Sequence, residues 1–329
     1  MSKVSSNGDQ VAVVIPVRNR SDFLRNCLNS LVAQDYPIRQ CEVIVCDDHS
    51  EEDLEPVIEA FRPHLPKLKL LGQKKHCGPG AARNMGFRSS SAGMFVCLDS
   101  DIVCHPDFLK ELLGILKANP SWVAVEATLI PNQNQPSPLW DAPVCDHGGR
   151  YHTAAIAYRR DALFRAGGFD ETFKLAACED VDLAARLFEH GTIGFSSEAK
   201  AIHPLRKVTL HTHWQWRRSW KYITVLAKRY GFLAFPGRDA GRFPRLRVAL
   251  AAMLTQPGGR FLEACKYIKK NLREGIIAGL YAIFDVICGL TALPVIIFCP
   301  LPPRRNYLEI KTSSGEKPHW IKADTFIKL

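Results

Sequence analysis

Asp99 and Asp101 stand one residue apart, directly after the apolar run Met94-Phe95-Val96-Cys97-Leu98. Such a run reads as a short strand buried on both faces. In an open α/β sheet the ligand crevice lies beyond the carboxyl ends of the strands, so both carboxylates are expected to overhang it. Two anions this close repel unless a cation holds them. A hard divalent ion, bound by one or two carboxylates and by a substrate's phosphates, resolves the repulsion. The pattern points to a metal–diphosphate site, with a solvated acidic loop as the bland alternative.

Three further stretches carry chemistry. Glu179 and Asp180 open a segment whose Leu183, Ala184, Leu187 and Phe188 keep helical spacing. Carboxylates there either favour the helix dipole, worth under about 1 kcal/mol each, or supply a general base aimed into the crevice. His203 follows a strand expected at Ala199–Ile202, and a strand-end histidine near an acidic site suits a third ligand. His211 and His213 are reserves, and with no cysteine or carboxylate beside them a dedicated zinc site is not expected. Gly78-Pro79-Gly80-Ala81-Ala82-Arg83-Asn84-Met85-Gly86 opens a helix whose amides face phosphate, or is a plain Pro-Gly turn into a packed helix.

The elements that must position these residues alternate. Val11–Val17 reads as a buried strand, followed by a helix capped at Ser21 or Asp22 with Phe23, Leu24, Cys27, Leu28, Leu31 and Val32 in helical spacing. Cys41–Cys46 is a second strand ending in Asp47 and Asp48. A helix with Leu54, Val57, Ile58 and Phe61 and a strand at Leu68–Leu71 complete a β-α-β-α-β pattern, that of a doubly wound nucleotide-binding sheet. Beyond Asp101 the expectation is a helix over Pro106–Ala118, a strand at Trp122–Ala127, a loop at Pro131–Pro138 and strand character at Tyr151–Tyr158.

With 329 residues, 47% apolar and 23% charged, the chain is long enough for one large or two modest globular domains. The net charge of +10 suggests an anionic partner without choosing it. Eleven cysteines, scattered singly with no Cys-x-x-Cys pair, read as reduced thiols of a cytosolic protein. Met1–Gln10 is polar and carries no secretory signal.

In order along the chain stand VIPVRNR (Val14–Arg20), EVIVCDDHS (Glu42–Ser50), GPGAARNMG (Gly78–Gly86), LDSD (Leu98–Asp101), GGFDE (Gly167–Glu171) and EDVDLAAR (Glu179–Arg186). No single piece is specific, but the ordered set resembles the family 2 glycosyltransferases, from about Val11 to about Tyr230. The resemblance implies a GT-A fold: α/β, Rossmann-like, a mostly parallel sheet flanked by helices. It implies a nucleotide pocket lined by Pro16, Arg18 and Asp47 or Asp48, with Arg83 and Asn84 nearby. Asp99 and Asp101 look like the family's Asp-x-Asp pair, holding Mn²⁺ or Mg²⁺ on the donor diphosphate, with His203 as an added metal or phosphate contact. Asp180 looks like the base of inverting members, with Glu179 beside it. The implied partners are a nucleotide-sugar donor, with a UDP-sugar the first guess, and a hydroxyl-bearing acceptor, lipid-linked or polysaccharide. A catalytically degenerate nucleotide-binding or scaffold protein is the alternative.

One departure matters. Gln215-Trp216-Arg217-Arg218-Ser219-Trp220 is similar to the Gln-x-x-Arg-Trp motif of processive synthases, but Ser219 stands where the tryptophan belongs. Single transfers are therefore expected.

The domain reading is a polar tail at 1–10, the transferase domain at 11–213, and a basic, aromatic, partly apolar helical extension at 214–329. Arg217, Arg218, Lys221, Lys228, Arg229, Arg238, Arg242, Arg245 and Arg247 suit anionic lipid headgroups, and no nucleic-acid motif accompanies them. Gly275–Cys299 holds only Asp285 as a charge and is long enough to span a bilayer. Lys269, Lys270 and Arg273 on one side and Arg304 and Arg305 on the other disfavour crossing. An interfacial or re-entrant association at the cytoplasmic face is expected, a true span is the runner-up, and a subunit interface or buried helix pair is third.

Overall fold

Every residue of Val11–Val17 (β1) is buried in the computed structural model, as an inner strand covered on both faces requires. The structure describes residues 10–230, 261–298 and 308. The tail up to residue 9 and Arg238, Arg242, Arg245, Arg247, Arg304 and Arg305 lie outside the described residues, as do the side chains of Trp216, Arg217, Trp220, Lys221 and Lys228.

Side chains alternate across β1. Val11, Val13, Ile15 and Val17 join one core with the helices Ser21–Val32 (α1), Glu55–Phe61 (α2) and, further along the sheet, Phe108–Ala118 (α4). Ala12 and Val14 join a second core with Pro79–Arg88 (α3), Arg160–Arg165 (α5) and Glu179–Leu187 (α6). This period-two split is what a doubly wound sheet demands.

β1, Glu42–Asp47 (β2), Leu68–Gly72 (β3) and Met94–Leu98 (β4) pair in parallel, in the order β3-β2-β1-β4. The sheet continues through Ala155–Arg159 (β8), Trp122–Pro131 (β6), Thr192–His203 (β9) and Val103–Cys104 (β5). β8 is antiparallel to both β4 and β6, β9 is parallel to β6, and β5 is antiparallel to β9. The sheet is therefore mixed.

Three expectations change. The strand expected at Ala199–Ile202 is the end of the twelve-residue β9. The strand expected from Tyr151 starts at Ala155, because Tyr151 has a positive φ of 60° that a ladder does not accept. The boundary expected after residue 213 falls inside the helix Leu210–Tyr230 (α7). Tyr222 and Leu226 of α7 pack on Phe173, and Arg229 reaches Asp170 and Asp182 at 2.7 and 2.8 Å. α7 is tied into the sheet domain by its own apolar and charged contacts.

A short ribbon pairs Trp140–Asp141 (β7) with Arg206–Lys207 (β10). Behind it lie a helix over 261–268 (α8) and the helix Leu272–Phe298 (α9). Leu139, before β7, packs on Ala264 and Ala278. His213 Nδ1 lies 2.7 Å from Asp285 Oδ1, so the lone charge of the apolar stretch is buried against α7. Among the described residues no helix is long and apolar enough to cross a membrane.

Candidate active site

The site forms at the carboxyl ends of the parallel strands. β1 leads into Arg18–Arg20, β2 into Asp47 and Asp48, and β4 into Asp99–Asp101. The two-residue β5, just after Asp101, pairs Val103 with Ile202 and Cys104 with Ala201. That pairing pins the acidic loop to the end of β9 and brings His203 to Asp101. Two residues are too short a strand for a sequence pattern to reveal.

Asp101 is fully buried at its side chain. Its Oδ2 accepts from Arg20 Nη1 at 2.9 Å and also meets Arg206 Nη2. Its Oδ1 has no hydrogen-bond partner and lies 3.7 Å from His203 Nε2. His203 Nδ1 is 2.8 Å from the Pro204 carbonyl, which only accepts, so the proton sits on Nδ1. Burial lowers the His203 pKa and favours the neutral ring. An imidazole lone pair therefore faces an unpartnered carboxylate oxygen. Two acceptors in that arrangement fit a divalent cation between them, and the nitrogen and oxygen donors suit Mn²⁺ or Mg²⁺. Among the described residues, however, no three His, Cys, Asp or Glu side chains converge as a metal-holding group. Guanidinium groups, Arg83 on Asp99 and Arg20 and Arg206 on Asp101, face the two carboxylates here.

Asp99 is the more open acid, and its Oδ1 accepts from Arg83 Nη2 at 2.5 Å. Arg83 is buried, its guanidinium 5.4 Å from the Phe169 ring centre, and its Nη1 lies 3.8 Å from Glu179 Oε1. Arg83 thus joins the Asp-x-Asp loop to the start of α6. That start is set by Cys178, whose φ of 71° is left-handed. In a non-glycine residue this conformation costs about 1–3 kcal/mol and is tolerated where the surroundings over-determine it. Asp180 is more open, its side chain 19% exposed, and its Oδ2 is 3.8 Å from His152 Nδ1. Asp99, Asp101, Arg83, His203, Glu179 and Asp180 are thereby brought to one crevice.

Burial pushes the Glu179 carboxyl up to about 8, with Asp180 adding to the rise and Arg83 opposing it. Below the ordinary value of 4.5 this group is protonated whether folded or not. Between 4.5 and about 8 the unfolded chain loses the proton while the folded site keeps it, so Glu179 destabilises the fold progressively, with the full penalty above that window. Glu179→Gln keeps the shape without the ionisation. Its melting temperature relative to the parent should climb from about pH 5 to about pH 9, and parallel curves would contradict the assignment.

Three residues expected to line the nucleotide pocket, Asp48, Asn84 and Pro16, are engaged within the fold. Asp48 is buried, and its carboxylate accepts from Cys77 N (2.7 Å), Gly78 N (2.9 Å) and His76 Nδ1 (2.7 Å). It holds the two amides that lead into α3, those of Cys77 and Gly78. A Cβ on Gly78 would also lie 2.7 Å from the Lys174 carbonyl oxygen, so the loop before α6 closes over that start. Asn84 is buried and makes a clasp on the GGFDE turn: its Oδ1 accepts from Phe169 N at 2.9 Å and its Nδ2 donates to Phe169 O at 2.8 Å. Gly168, at φ 69°, gives that clasp room, since a Cβ there would meet Asn84 Oδ1 at 2.6 Å. Pro16 is buried within β1 and presents no open surface to the crevice. Arg18 is exposed at the crevice rim, and Asp47 accepts from Ser50 N at 2.9 Å. The reserve His213 is committed to Asp285 between α7 and α9. Arg20, Arg206 and His152 were not singled out by sequence reasoning. Arg20 closes the quoted VIPVRNR piece, and Arg206 follows His203 by three residues.

The family described as glycosyl transferase family 2 matches residues 12–163. The pre-mycofactocin glycosyltransferase of Mycobacterium tuberculosis is 32% identical over 197 residues, 55% of this chain and 39% of that protein. The chain thus spans about two fifths of that relative. The poly(ribitol-phosphate) beta-N-acetylglucosaminyltransferase TarS of Staphylococcus aureus is 27% identical over 110 residues, 33% of this chain and 19% of that protein. Among solved structures, the mannosyltransferase PcManGT of Pyrobaculum calidifontis, in complex with GDP-Man and Mn²⁺, superposes with a TM-score of 0.55 at 17% identity. It covers 88% of this chain and 87% of that one. S. aureus TarS in complex with UDP-GlcNAc gives 0.52 at 18% identity, covering 85% and 81%. At these identities the likeness establishes the fold, which is GT-A.

Proposed function

We propose that this chain, matched by the glycosyl transferase family 2 description over residues 12–163, transfers a sugar from a nucleotide-activated donor to an acceptor hydroxyl, with inversion and one sugar per encounter. The observation that carries this reading is the single crevice in which Arg83 links Asp99 to Glu179, with Asp101 on one side and Asp180 on the other. Asp99, Asp101 and His203 would hold a divalent cation, which when bound stabilises the charge gathering on a departing diphosphate.

The protein's own groups do the rest. An acceptor hydroxyl is a poor nucleophile at neutral pH and needs a carboxylate within hydrogen-bond reach to take its proton. With Glu179 pushed up to about 8 and sealed from solvent, Asp180 is the member of the pair open to that hydroxyl. Arg83 keeps Asp99 oriented. The neighbours solved with UDP-GlcNAc and GDP-Man make UDP- and GDP-sugars the first donors to try. The test is a donor panel scored by nucleotide release with and without Mn²⁺, with products identified by mass spectrometry. Acceptor-dependent, Mn²⁺-dependent release is expected. Nucleotide binding without turnover across donors and acceptors would favour the degenerate alternative.

The reading extends to location. Leu272, Ile276, Leu280, Ile283 and Ile287 are exposed along α9 at helical spacing, beside exposed Leu262 of α8. Lys266, Lys269, Lys270 and Arg273, also exposed, surround the α8–α9 turn. An apolar stripe rimmed by cations fits the surface of an anionic bilayer, peripherally bound. Flotation with vesicles containing phosphatidylglycerol, and not with pure phosphatidylcholine, is the expected result; flotation with neither would refute it.

A further inference from the structure

Glu126, in the middle of β6, is a buried carboxylate that the proposed chemistry does not use. It accepts from three consecutive amides: Gly149 N at 2.7 Å, Arg150 N at 3.0 Å and Tyr151 N. Successive amides turned onto one acid form a nest, which left-handed backbone makes possible. Gly148, Gly149 and Tyr151 supply it, with φ of 74°, 79° and 60°. A Cβ on Gly148 would lie 2.9 Å from Phe195 Cβ, so the turn needs glycine there. Tyr151 is not glycine and holds its conformation only because its surroundings impose it. Its ring meets that of Phe188, just after α6, edge-on at 5.6 Å.

The next residue is His152. Two positions later, Ala154 O accepts from Asp99 N at 3.1 Å. The turn is thus tied to β6 on one side of His152 and to the Asp-x-Asp loop on the other. It presents the His152 ring to the start of α6, with Nδ1 3.8 Å from Asp180 Oδ2. An ionised carboxylate only accepts, so a hydrogen bond between them requires the hydrogen on Nδ1. The other oxygen, Oδ1, already accepts from Val181 N at 2.8 Å. The pair stands about 1 Å short of a hydrogen bond, and catalytic hydrogen bonds are often long until substrate arrives.

We propose, on the reading of Asp180 as the base given above, that His152 is a positioning residue for it. His152 Nδ1–H donates to Asp180 Oδ2 when the acceptor binds, and the Glu126 nest sets the ring where it can do so. With a donor on each oxygen, the plane of the carboxylate is fixed and a remaining lone pair is aimed at the acceptor hydroxyl.

The test uses the full chain. It reads nucleotide release with the donor panel, and UDP and GDP affinity with Mn²⁺ present. His152→Ala should lower turnover about 10–10²-fold, because a misplacement of about 1 Å costs that much, and leave nucleotide affinity at the parent value. His152→Asn puts an amide N–H near the place of Nδ1 and should recover most of the loss. Free imidazole added to His152→Ala should recover part of it. In the Asp180→Asn background His152→Ala should cost nothing further, since it acts through that carboxylate. A role confined to holding the fold would cost the same in both backgrounds and would not respond to imidazole. That outcome, or parent turnover in His152→Ala, overturns the positioning role and leaves Asp180 in place. Parent turnover in Asp180→Asn, or no release by the parent with any donor, overturns the base reading and the positioning role with it. Glu126→Gln sets an amide in the nest and should lower turnover with nucleotide affinity unchanged. If its melting curve shows that it does not fold, the variants of His152, a partly open side chain, carry the test.

Discussion

Asp180→Asn should lower sugar transfer by about 10²–10⁴-fold, the range that a positioned general base supplies. The substitution keeps the size of the side chain and its place at the start of α6, where Asp180 Oδ1 accepts from the Val181 amide at 2.8 Å. The expected loss falls on turnover, with donor affinity and melting temperature close to the parent. Glu179→Gln is expected to be milder, because its carboxyl already keeps its proton up to about pH 8. If Asp180→Asn transfers sugar at the parent rate, the base is another group.

Asp101→Asn is expected to cost about 10²–10³-fold in turnover, as removal of a group that stabilises transition-state charge does elsewhere. It should also cost about 1–3 kcal/mol in stability, less than for a fully buried ion pair, because Arg20 and Arg206 remain partly in water after their anion is gone. The two effects separate by measurement. Thermal unfolding reports the arginines, and nucleotide release across a Mn²⁺ titration reports the cation position. A variant with parent turnover and parent Mn²⁺ dependence would remove Asp101 from the site.

The sequence made β1, β2 and β4 legible because each carries an apolar run that ends at a charge: Val17 before Arg18, Cys46 before Asp47, Leu98 before Asp99. The acids at those ends followed directly. What it hid was set by contacts distant along the chain. β5 is two residues long and exists only because β9 runs beside it. Asp48 and Asn84 belong to motif pieces that point to the donor, yet their polar atoms are taken by the amides of Cys77 and Gly78 and by the backbone of Phe169. Spacing shows that a carboxylate or amide is near a crevice, not which donor or acceptor satisfies it. The same holds for Arg20 and Arg206, 186 positions apart in number, whose meeting at Asp101 depends on the β7–β10 ribbon. The apolar stretch around Asp285 reads as a membrane candidate because it is long and holds a single charge; that charge meets His213 in another helix, a pairing spacing does not reveal.

The most direct measurement of the central claim, that the acids after β4 hold the donor while the acid opening α6 performs the chemistry, is a calorimetric titration of UDP and GDP with and without Mn²⁺ into Asp180→Asn and Asp101→Asn. The expected result is Mn²⁺-dependent nucleotide binding at parent strength in Asp180→Asn and its loss in Asp101→Asn. Equal loss in both variants, or nucleotide binding indifferent to Mn²⁺ and to Asp101, would contradict it.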